Sequence, residues 1–371
     1  MKRDLVAAAG ALLKTRAGLH AEPMVRARLA RCLDEGAARL GLAADAYLAL
    51  LETDAGAFQE LLDRVTVQHS SFFRDPNQFA ALTGLLAAAP SGPAWVWSAA
   101  SANGQEPYSL AMLLEECGRE DWRILATDVS SSALARVRAG RYSRSEVAGV
   151  SEARLHRFFT RAGHGWEVAP RLRERVTARV HNLSDTRGPI PGATFSIIFC
   201  RNVLIYFDAP MVDACVSRLA SCLPTGGHLF LGFSESLPHA SNGLELVRVG
   251  DAFVYRKGPA PARAPAAPPR RVPADSLRLL AEGERAFAAG NAAGAVRAFR
   301  KVTYLDPNQP VGYFQLGTAL EHAGDHRQAR RAFAAAESAL ARADPAATLP
   351  GLEGYSSLEL GRAIAAKLGT L

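Results

Sequence analysis

The chain has 371 residues, of which 49% are hydrophobic, and this is enough to build the cores of two or three globular domains. Its net charge of +7 comes mainly from arginines spread along the whole chain, and no block of like charges predicts a nucleic-acid-binding or membrane-binding tail. Five cysteines without C-x-x-C spacing argue against a disulfide framework and a zinc site, and no uncharged apolar run of 18 residues occurs, so we expect a cytoplasmic protein without a metal or a membrane-inserted segment.

Residues 1–85 predict a small N-terminal all-helical domain. Apolar residues recur there three or four positions apart, as in Leu29, Leu33, Ala37 and Leu40, and few strand-like runs occur. This spacing is typical of helices that pack one face together.

Residues 90–258 predict an α/β domain. Short apolar runs that begin at Trp95, Arg123, Phe195 and His228 alternate with helical patterns. Strands that alternate with helices favour βαβ units and a largely parallel, doubly wound sheet of the Rossmann-like kind.

Two further segments differ from this pattern. Residues 141–180 are rich in arginine and contain short possible strands, so we expect an inserted small β subdomain that either binds a partner or serves as a lid or packing element. Residues 259–273 contain too many prolines and alanines to pack and predict a semi-rigid linker.

The last segment, residues 274–371, repeats itself with a period of 34 residues. This period, with small residues where two helices touch and an aromatic side chain between them, predicts a tetratricopeptide repeat domain capped by a helix from Tyr355 to Leu368. Such a domain presents a concave face to a protein partner, and a helical hairpin without a ligand is the alternative. The matching positions are Gly283 with Gly317, Gly290 with Gly324, Ala295 with Ala329, and Phe299 with Phe333.

The end of the first predicted strand has the composition of a ligand-binding turn. Small residues from Ser98 to Ser101, Ala100 among them, let the backbone approach a ligand closely, and Gly104 supplies the turn. The dinucleotide fingerprint G-x-G-x-x-G is absent. Glu106 lies where a phosphate would otherwise bind, so this acid favours a ligand with an ammonium or sulfonium group.

Polar residues also follow the other predicted strands. Asp128 is placed to accept hydrogen bonds from ribose hydroxyls, although it could instead cap the helix that begins at Ser131. The amide of Asn182 could bind an adenine edge. Arg201 and Asn202 end the apolar run that begins at Phe195. Four such strand ends together indicate a site for a positively charged nucleoside.

Five strings in these segments resemble the CheR-type chemoreceptor methyltransferases. They are SFFRDPNQF, WSAASANGQEPYS, ATDVS, FCRNVLIYFD and GGHLFLGFSESL, in that order within residues 60–257. The resemblance implies methyl transfer from S-adenosylmethionine to glutamate side chains of a methyl-accepting chemotaxis receptor, with S-adenosylhomocysteine as the product.

The resemblance also implies which residues form the site. Arg74 and Tyr206 would lie nearest the transferred methyl group. Gln68 and Ser70 depart from the Asn-x-Thr that is common in the family, which changes their reach. Ala100 belongs to the same predicted set through its place in the small-residue turn. The predicted cofactor-binding residues are Gln68, Ser70, Arg74, Ala100, Glu106, Asp128, Asn182, Leu183, Asn202 and Val203.

Structural interpretations of the same residues stay open. Arg74 could form only a helix-start ion pair with Asp75, Tyr206 could belong to the core, and Arg201 could pair with a nearby acid such as Glu235. Phe72 and Phe73 are expected to pack between domains. His69, His156 and His181 show no ligand spacing and are expected to be surface or packing residues.

Two further functions are considered beside the methyltransferase. One is a regulatory scaffold that binds S-adenosylmethionine or S-adenosylhomocysteine without efficient catalysis and recruits an unknown protein partner through its repeats. The other is nucleic-acid methylation, which the chain does not favour because it lacks a basic stripe interleaved with aromatic residues.

Overall fold

The computed structural model describes residues 2–20, 23–89, 92–232, 235, 237, 243–259, 274–342 and 357–370. The chain divides into two compact units, one made of residues 1–230 and 242–260 and the other of residues 231–241 and 261–371. The predicted linker lies, apart from residue 259, outside the described residues. The domain limits therefore stay predictions.

Five helices open the first unit, but only four of them form the expected helical domain. The core of α1 to α4 contains Leu13, Leu29 and Leu51, all fully buried. Helix α5 instead contributes Phe79 and Leu82 to the core of the sheet, because its apolar face packs there. Helix α5, which the prediction placed in the helical domain, thus packs with the sheet. The helices are α1 Lys2–Ala17, α2 Pro23–Leu40, α3 Ala44–Thr53, α4 Ala55–Val65 and α5 Pro76–Ala88.

The rest of the first unit alternates strands and helices, as the sequence predicts. Its strands are β1 Ala94–Ala99, β2 Trp122–Asp128, β3 Arg141–Ser143, β4 Phe159–Ala162, β5 Gly165–Val168, β6 Val176–Val180, β7 Ile197–Cys200, β8 His228–Leu231, β9 Leu244–Val249 and β10 Ala252–Lys257. Its helices are α6 Gln105–Glu116, α7 Ser131–Ala139, α8 Glu152–Phe158, α9 Pro170–Arg173 and α10 Ala209–Ser221.

Seven strands form the main sheet, in the order β6-β2-β1-β7-β8-β10-β9. Strands β6, β2, β1 and β7 are parallel, whereas β10 runs antiparallel to both β8 and β9. The four residues of β7 are all buried, in agreement with a strand that is covered on both faces. The α/β fold class is confirmed.

The parallel half of the sheet contains a topological switch point, at which the strand order passes from one side of β1 to the other. Strand β2 lies on one side of β1, and β7 lies on the other side. Open α/β sheets bind ligands at the carboxyl ends of strands beside such a switch point. The turns after β1, β2, β6 and β7 meet at this edge.

The predicted insertion forms a small antiparallel sheet of β3, β5 and β4. Phe72 packs edge-on against Tyr142 and Phe159 of this sheet, with ring centroids 4.9 and 5.6 Å away. The expected insertion reached residue 180, but residues 176–180 are β6 and pair with β2 of the main sheet. The sequence does not reveal this strand, because β6 lies at the sheet edge and needs few apolar residues. Only Val176 and Ala178 are half-buried.

The described part of the second unit contains helices that follow the 34-residue period. A Cβ atom at Gly283 would lie 2.5 Å from Phe299, and one at Gly317 would lie 2.7 Å from Phe333. Only glycine lets the paired helices approach so closely. The helices are α11 Ala274–Ala288, α12 Ala292–Leu305, α13 Pro310–His322, α14 His326–Arg342 and α15 Ser357–Thr370.

The helix starts of this unit repeat as well. The side chain of Asn291 accepts a hydrogen bond of 2.9 Å from the main-chain N–H of Gly294, and Asp325, 34 residues later, accepts one of 3.0 Å from Gln328. Leu360 and Ile364 of α15 join the same core, which fits the predicted capping helix. The predicted first residue of that helix, Tyr355, lies outside the described residues.

Candidate active site

A cleft of about 1040 Å³ opens at the carboxyl ends of the parallel strands. All eleven residues that the sequence predicts for the site line this cleft, although they come from segments as far apart as residues 68 and 206. The turns after four strands contribute, together with the loop between α4 and α5. The sequence therefore named the residues of one connected site.

The turn after β1 has an unusual backbone. Ala100 and Ala102 have φ angles of 61° and 48°, in the left-handed region, and Gly104 has a φ angle of 96°. A Cβ at Gly104 would also lie 2.6 Å from the Tyr142 hydroxyl. Glycine is therefore required both by the positive φ angle and by the lack of space for a side chain. Ser101 is 1% exposed, lines the cleft, and has a buried Oγ that finds no hydrogen-bond partner among the described residues.

Asp128 connects this turn to the next strand end. One carboxylate oxygen accepts a hydrogen bond of 2.9 Å from the Ala102 N–H, and the other accepts one of 2.9 Å from the Ser130 N–H. Burial raises the pKa of Asp128, and the main-chain hydrogen bonds oppose that shift. The alternative role as helix cap is wrong, because the Ser130 side chain caps α7 through the Ala133 N–H.

Asn182 follows β6 and faces the cleft with an amide that already has two partners. Its Nδ2 donates to the carbonyl of Arg16 at 2.8 Å, and its Oδ1 accepts from the Ser184 N–H at 2.9 Å. One donor hydrogen and one acceptor lone pair remain for a ligand. Leu183 is 6% exposed and adds an apolar surface to the same wall.

Glu106 and Arg201 form a buried ion pair at the cleft. Arg201 Nε donates to one Glu106 oxygen at 2.7 Å, and the Ser98 hydroxyl donates to the other oxygen at 2.7 Å. The sequence favoured Glu106 as the acid facing a cationic ligand. Because the charge of Glu106 is compensated by Arg201, the field left for such a ligand is weaker than we expected.

Asn202 and Tyr206 follow Arg201 in a tight segment. Asn202 has a φ angle of 59°, which asparagine tolerates better than most residues. Val203 precedes a 3-10 turn over Leu204–Tyr206. Tyr206 is half-buried at the wall of the cleft, so it is not a core residue.

The loop between α4 and α5 supplies Gln68, Ser70 and Arg74. Gln68 Nε2 donates to the Thr66 hydroxyl at 3.0 Å, whereas its buried Oε1 has no partner in the part of the chain that the structure describes. The Arg74 guanidinium forms no hydrogen bond or ion pair within the described ranges of the chain. The expected ion pair with Asp75 is absent there, since the described partner of that carboxylate is Arg201 at 3.5 Å.

The helical domain forms a wall of the cleft that the sequence did not predict. Ala17, Leu19, His20 and Val25 all line it. The main-chain N–H of His20 donates to the Tyr206 carbonyl at 2.8 Å. No signal in the sequence relates these residues to the strand ends, because the contact exists only in the folded chain.

The two domains are also joined at a helix start. Asp63 of α4 accepts hydrogen bonds from the N–H and the hydroxyl of Ser131, at 2.7 and 2.6 Å, and one from the N–H of Ser132 at 3.2 Å. An acid at the first turn of a helix is favourable because of the helix dipole. Asp63 therefore fixes α4 beside the turn that carries Asp128.

Two of the three histidines expected to be surface or packing residues line the cleft. His69 is exposed at the cleft, and the His181 ring lies 5.8 Å from the ring of Trp97. Burial lowers the pKa of His181, and Asp185, at 3.8 Å, opposes that shift. A neutral His181 is therefore favoured near pH 7, and it packs as expected.

The arrangement fits a nucleoside cofactor with a carboxylate. Ser101 Oγ and Gln68 Oε1 are buried polar atoms without partners, and the Arg74 guanidinium is a cation without one in the described chain. Because these groups line the cleft, they are available to hydrogen-bond a ligand there. A hydroxyl, an amide and a guanidinium match the ribose, adenine and carboxylate parts of S-adenosylmethionine.

Two other kinds of site are absent from the residues that the structure describes. No group of three or more histidine, cysteine or acidic side chains is placed to hold a metal ion there. Within the same ranges, no helix combines the length and the hydropathy that a membrane-spanning segment needs.

Comparisons with known proteins identify the chain as an S-adenosylmethionine-dependent methyltransferase. The model of the family described as "CheR methyltransferase, SAM binding domain" matches residues 68–252. The chain belongs to this family, and the resemblance seen in its motifs is confirmed.

Three relatives show the range of the similarity. Chemotaxis protein methyltransferase 1 of Pseudomonas aeruginosa is 35% identical over 221 residues, which cover 56% of this chain and 80% of the relative. The chemotaxis protein methyltransferase of Escherichia coli K12 is 35% identical and covers 62% and 82%. The probable biofilm formation methyltransferase WspC of P. aeruginosa is 31% identical over 356 residues, covering 91% and 83%.

Proposed function

We propose that the chain transfers a methyl group from S-adenosylmethionine to glutamate side chains of a methyl-accepting chemotaxis receptor, forming glutamate methyl esters. The observation that carries this proposal is the meeting of all eleven predicted residues in one cleft, with the Arg74 guanidinium unpaired within the described chain. The chemotaxis methyltransferases among the relatives support the choice of receptor.

The residues needed for this chemistry are few. S-adenosylmethionine, when bound, supplies a methyl group on a positively charged sulfur, and a carboxylate oxygen can take it while the carbon–sulfur electrons stay on sulfur. A glutamate side chain has an ordinary pKa of about 4.3 and is ionised at neutral pH, so the chain needs no general base. Its task is alignment and exclusion of water, which can lower a barrier by roughly 7 to 11 kcal/mol.

Arg74 and Tyr206 are the proposed catalytic residues. The planar Arg74 guanidinium can donate two parallel hydrogen bonds to a carboxylate, either of the incoming glutamate or of the cofactor. Tyr206 would place its hydroxyl beside the same carboxylate. Gln68, Ser70 and Asn202 with their neighbours in the cleft would hold the cofactor, and Asp128 would accept the ribose hydroxyls.

The location and partners form a second part of the proposal. The five cysteines are free thiols, which supports a reducing cytoplasm. Arg26 and Arg31 are exposed on α2 and would contact an acidic segment of the receptor. The helices of the second unit would act as tetratricopeptide repeats that hold a protein partner.

One test separates the enzyme from a regulatory scaffold. The full chain is incubated with S-adenosylmethionine carrying a tritiated methyl group and with a cytoplasmic receptor fragment. Radioactivity that enters the fragment and is released by mild base as methanol supports the methyl ester. Cofactor binding by calorimetry without any transfer would support the scaffold instead.

A second receptor class has support from one comparison. The relative named as a biofilm formation methyltransferase matches 91% of the chain, including the repeat region, whereas the chemotaxis relatives above match 56% and 62%. The same reaction could therefore serve a receptor of a biofilm-controlling system. Methylation rates measured on receptor fragments of both classes would decide between them.

A further inference from the structure

Arg201 was expected to be a structural residue, and its contacts give it a more direct relation to the reaction. The side chain is 2% exposed and packs beside the rings of Phe79 and Phe199, with its guanidinium carbon 5.5 and 5.2 Å from the two ring centres. A guanidinium held in this way has one orientation. Its position is therefore a fixed point of the site.

The loop that carries Arg74 needs such a fixed point. Phe73 and Asp75, on either side of Arg74, have φ angles of 50° and 64°. Residues other than glycine adopt this left-handed backbone at a cost of about 1 to 2 kcal/mol each. Such strain persists only where the surrounding structure holds it.

Arg201 supplies much of that hold. Its Nη1 donates to the main-chain carbonyl of Arg74 at 2.7 Å and to the side-chain oxygen of Gln78 at 2.9 Å. The same nitrogen lies 3.5 Å from the Asp75 carboxylate. The contacts of Arg201 with Arg74, Asp75 and Gln78 thus link this loop and the start of α5 to the end of β7.

The other edge of the same guanidinium reaches the cleft. Arg201 Nε donates to Glu106, whose second oxygen is fixed by the hydroxyl of Ser98. One planar group therefore sets the relative position of Glu106, in the first turn of α6, and of the Arg74 loop. A lysine could not do this, because its ammonium is a single point charge rather than a fork.

We propose that Arg201 is a positioning residue for the methyl transfer: by holding the Arg74 carbonyl, it presents the unpaired Arg74 guanidinium to the cleft in the productive orientation. This inference rests on the proposed function, since it takes Arg74 to act beside the reacting groups. The two arginines then have separate tasks: Arg201 is buried and bonded through Nε and Nη1, whereas the Arg74 guanidinium is open to the ligand.

The test is a double-mutant cycle on the full chain with a receptor fragment as methyl acceptor. Arg201→Lys, Arg74→Ala and the double variant are compared for kcat at saturating cofactor and receptor, for S-adenosylhomocysteine affinity by calorimetry, and for thermal unfolding. We expect Arg201→Lys to lower kcat by roughly tenfold to a hundredfold, the effect of a misplacement of about 1 Å. In the Arg74→Ala background the same change should lower kcat less than about twofold.

A matched control comes from the other end of α5. Arg119 donates to the main-chain carbonyls of Leu86 and Ala89, the same kind of contact, but it does not line the cleft. Arg119→Lys should leave kcat unchanged. If Arg201→Lys fails to fold, Gln78→Met, which removes one acceptor of Arg201, should give a smaller fall in kcat with the same loss of effect in the Arg74→Ala background.

The outcomes that overturn the inference are distinct from those that overturn the function. Equal losses from Arg201→Lys in both backgrounds, or no loss at all, would show that Arg201 does not act through Arg74. Full transfer by Arg74→Ala would remove the assignment of Arg74 and the inference together. A wild-type chain that binds S-adenosylhomocysteine but methylates no receptor would overturn the proposed function itself, and with it the inference.

Discussion

The cleft of the first unit and the helical stack of the second are built on opposite principles. Residues of the cleft come from positions 17 to 207 and meet only because parallel strands place their carboxyl ends at one edge. Helices of the stack contact mainly their neighbours in sequence, and glycine faces phenylalanine at a constant spacing in both pairs. Contacts between distant segments thus form the cleft, whereas contacts between neighbouring helices form a stack in which the same helix pair recurs.

The largest expected effect tests whether the stack is independent of the cleft. Phe333 is fully buried against Gly317, so Phe333→Ala should lower the free energy of unfolding of the second unit by roughly 3 to 5 kcal/mol. Glu337→Ala, at an exposed position of the same helix, should change it by less than about 0.5 kcal/mol. Urea unfolding of the full chain measures both. S-adenosylhomocysteine affinity should stay the same, and a parallel loss would show that the cleft depends on the stack.

The next effect belongs to the cleft alone. Arg74→Ala should lower kcat/KM for receptor methylation about a hundredfold, because a charged donor at the reacting groups is lost. Tyr206→Phe should lower it less, by roughly tenfold. Arg297, exposed on α12, is the control, and Arg297→Ala should leave the rate unchanged. Full activity of both cleft variants would contradict the assignment of the catalytic residues.

A smaller effect concerns the pH dependence of cofactor binding. The carboxylate of Asp128 is the form that accepts ribose hydroxyls, and burial raises its pKa. Affinity for S-adenosylhomocysteine should therefore fall on acidification, beginning above the ordinary aspartate pKa of about 3.9. Asp128→Asn should weaken binding by roughly tenfold at neutral pH and remove that part of the pH dependence.

The control for this measurement lies at the other end of the same strand. Asp121 precedes β2 and is exposed, so Asp121→Asn should change neither the affinity nor its pH profile. Calorimetric titrations across the acidic range, with circular dichroism to confirm folding, give both curves. An Asp128→Asn variant with the wild-type profile would assign the titration to another group.

The smallest expected effect tests whether the two repeats are equivalent. Asn291→Ala and Asp325→Ala each remove the side-chain cap at the start of a second helix. Each should lower the free energy of unfolding of the second unit by about 1 kcal/mol. Ser338→Ala, in the exposed middle of α14, should have little effect. A marked difference between the two cap variants would show that the repeats are not energetically alike.

Much of the site could be predicted because the chemistry of each strand end is local. A small-residue turn at Ala100, an acid at Asp128 and the polar end of β7 are visible as breaks in apolar runs, and all of them line the cleft. The resemblance to a known family then added Gln68, Ser70 and Arg74, which no apolar run marks. The predicted α/β fold followed from the alternation of strands with helices.

Other features could not be predicted, since they depend on contacts between distant segments. The wall formed by Leu19 and His20 requires the helical domain to lie over the strand ends. Strand β6 was assigned to the insertion because its sequence is only half apolar, and its pairing with β2 alone makes it part of the main sheet. The ion pair of Arg201 with Glu106 joins positions 95 residues apart.

The sequence by itself determined the α/β class of the first unit, the 34-residue period of the second and the polar residue types at the strand ends, because periodicity and strand-end chemistry are properties of neighbouring residues. Tertiary structure alone decided which of those residues are still available to a ligand. Arg74 and Arg201 are both arginines in family motifs and both line the cleft, yet within the described chain only Arg201 is held by hydrogen bonds from its side chain. The reason is that pairing and burial depend on what the folded chain brings within hydrogen-bond distance.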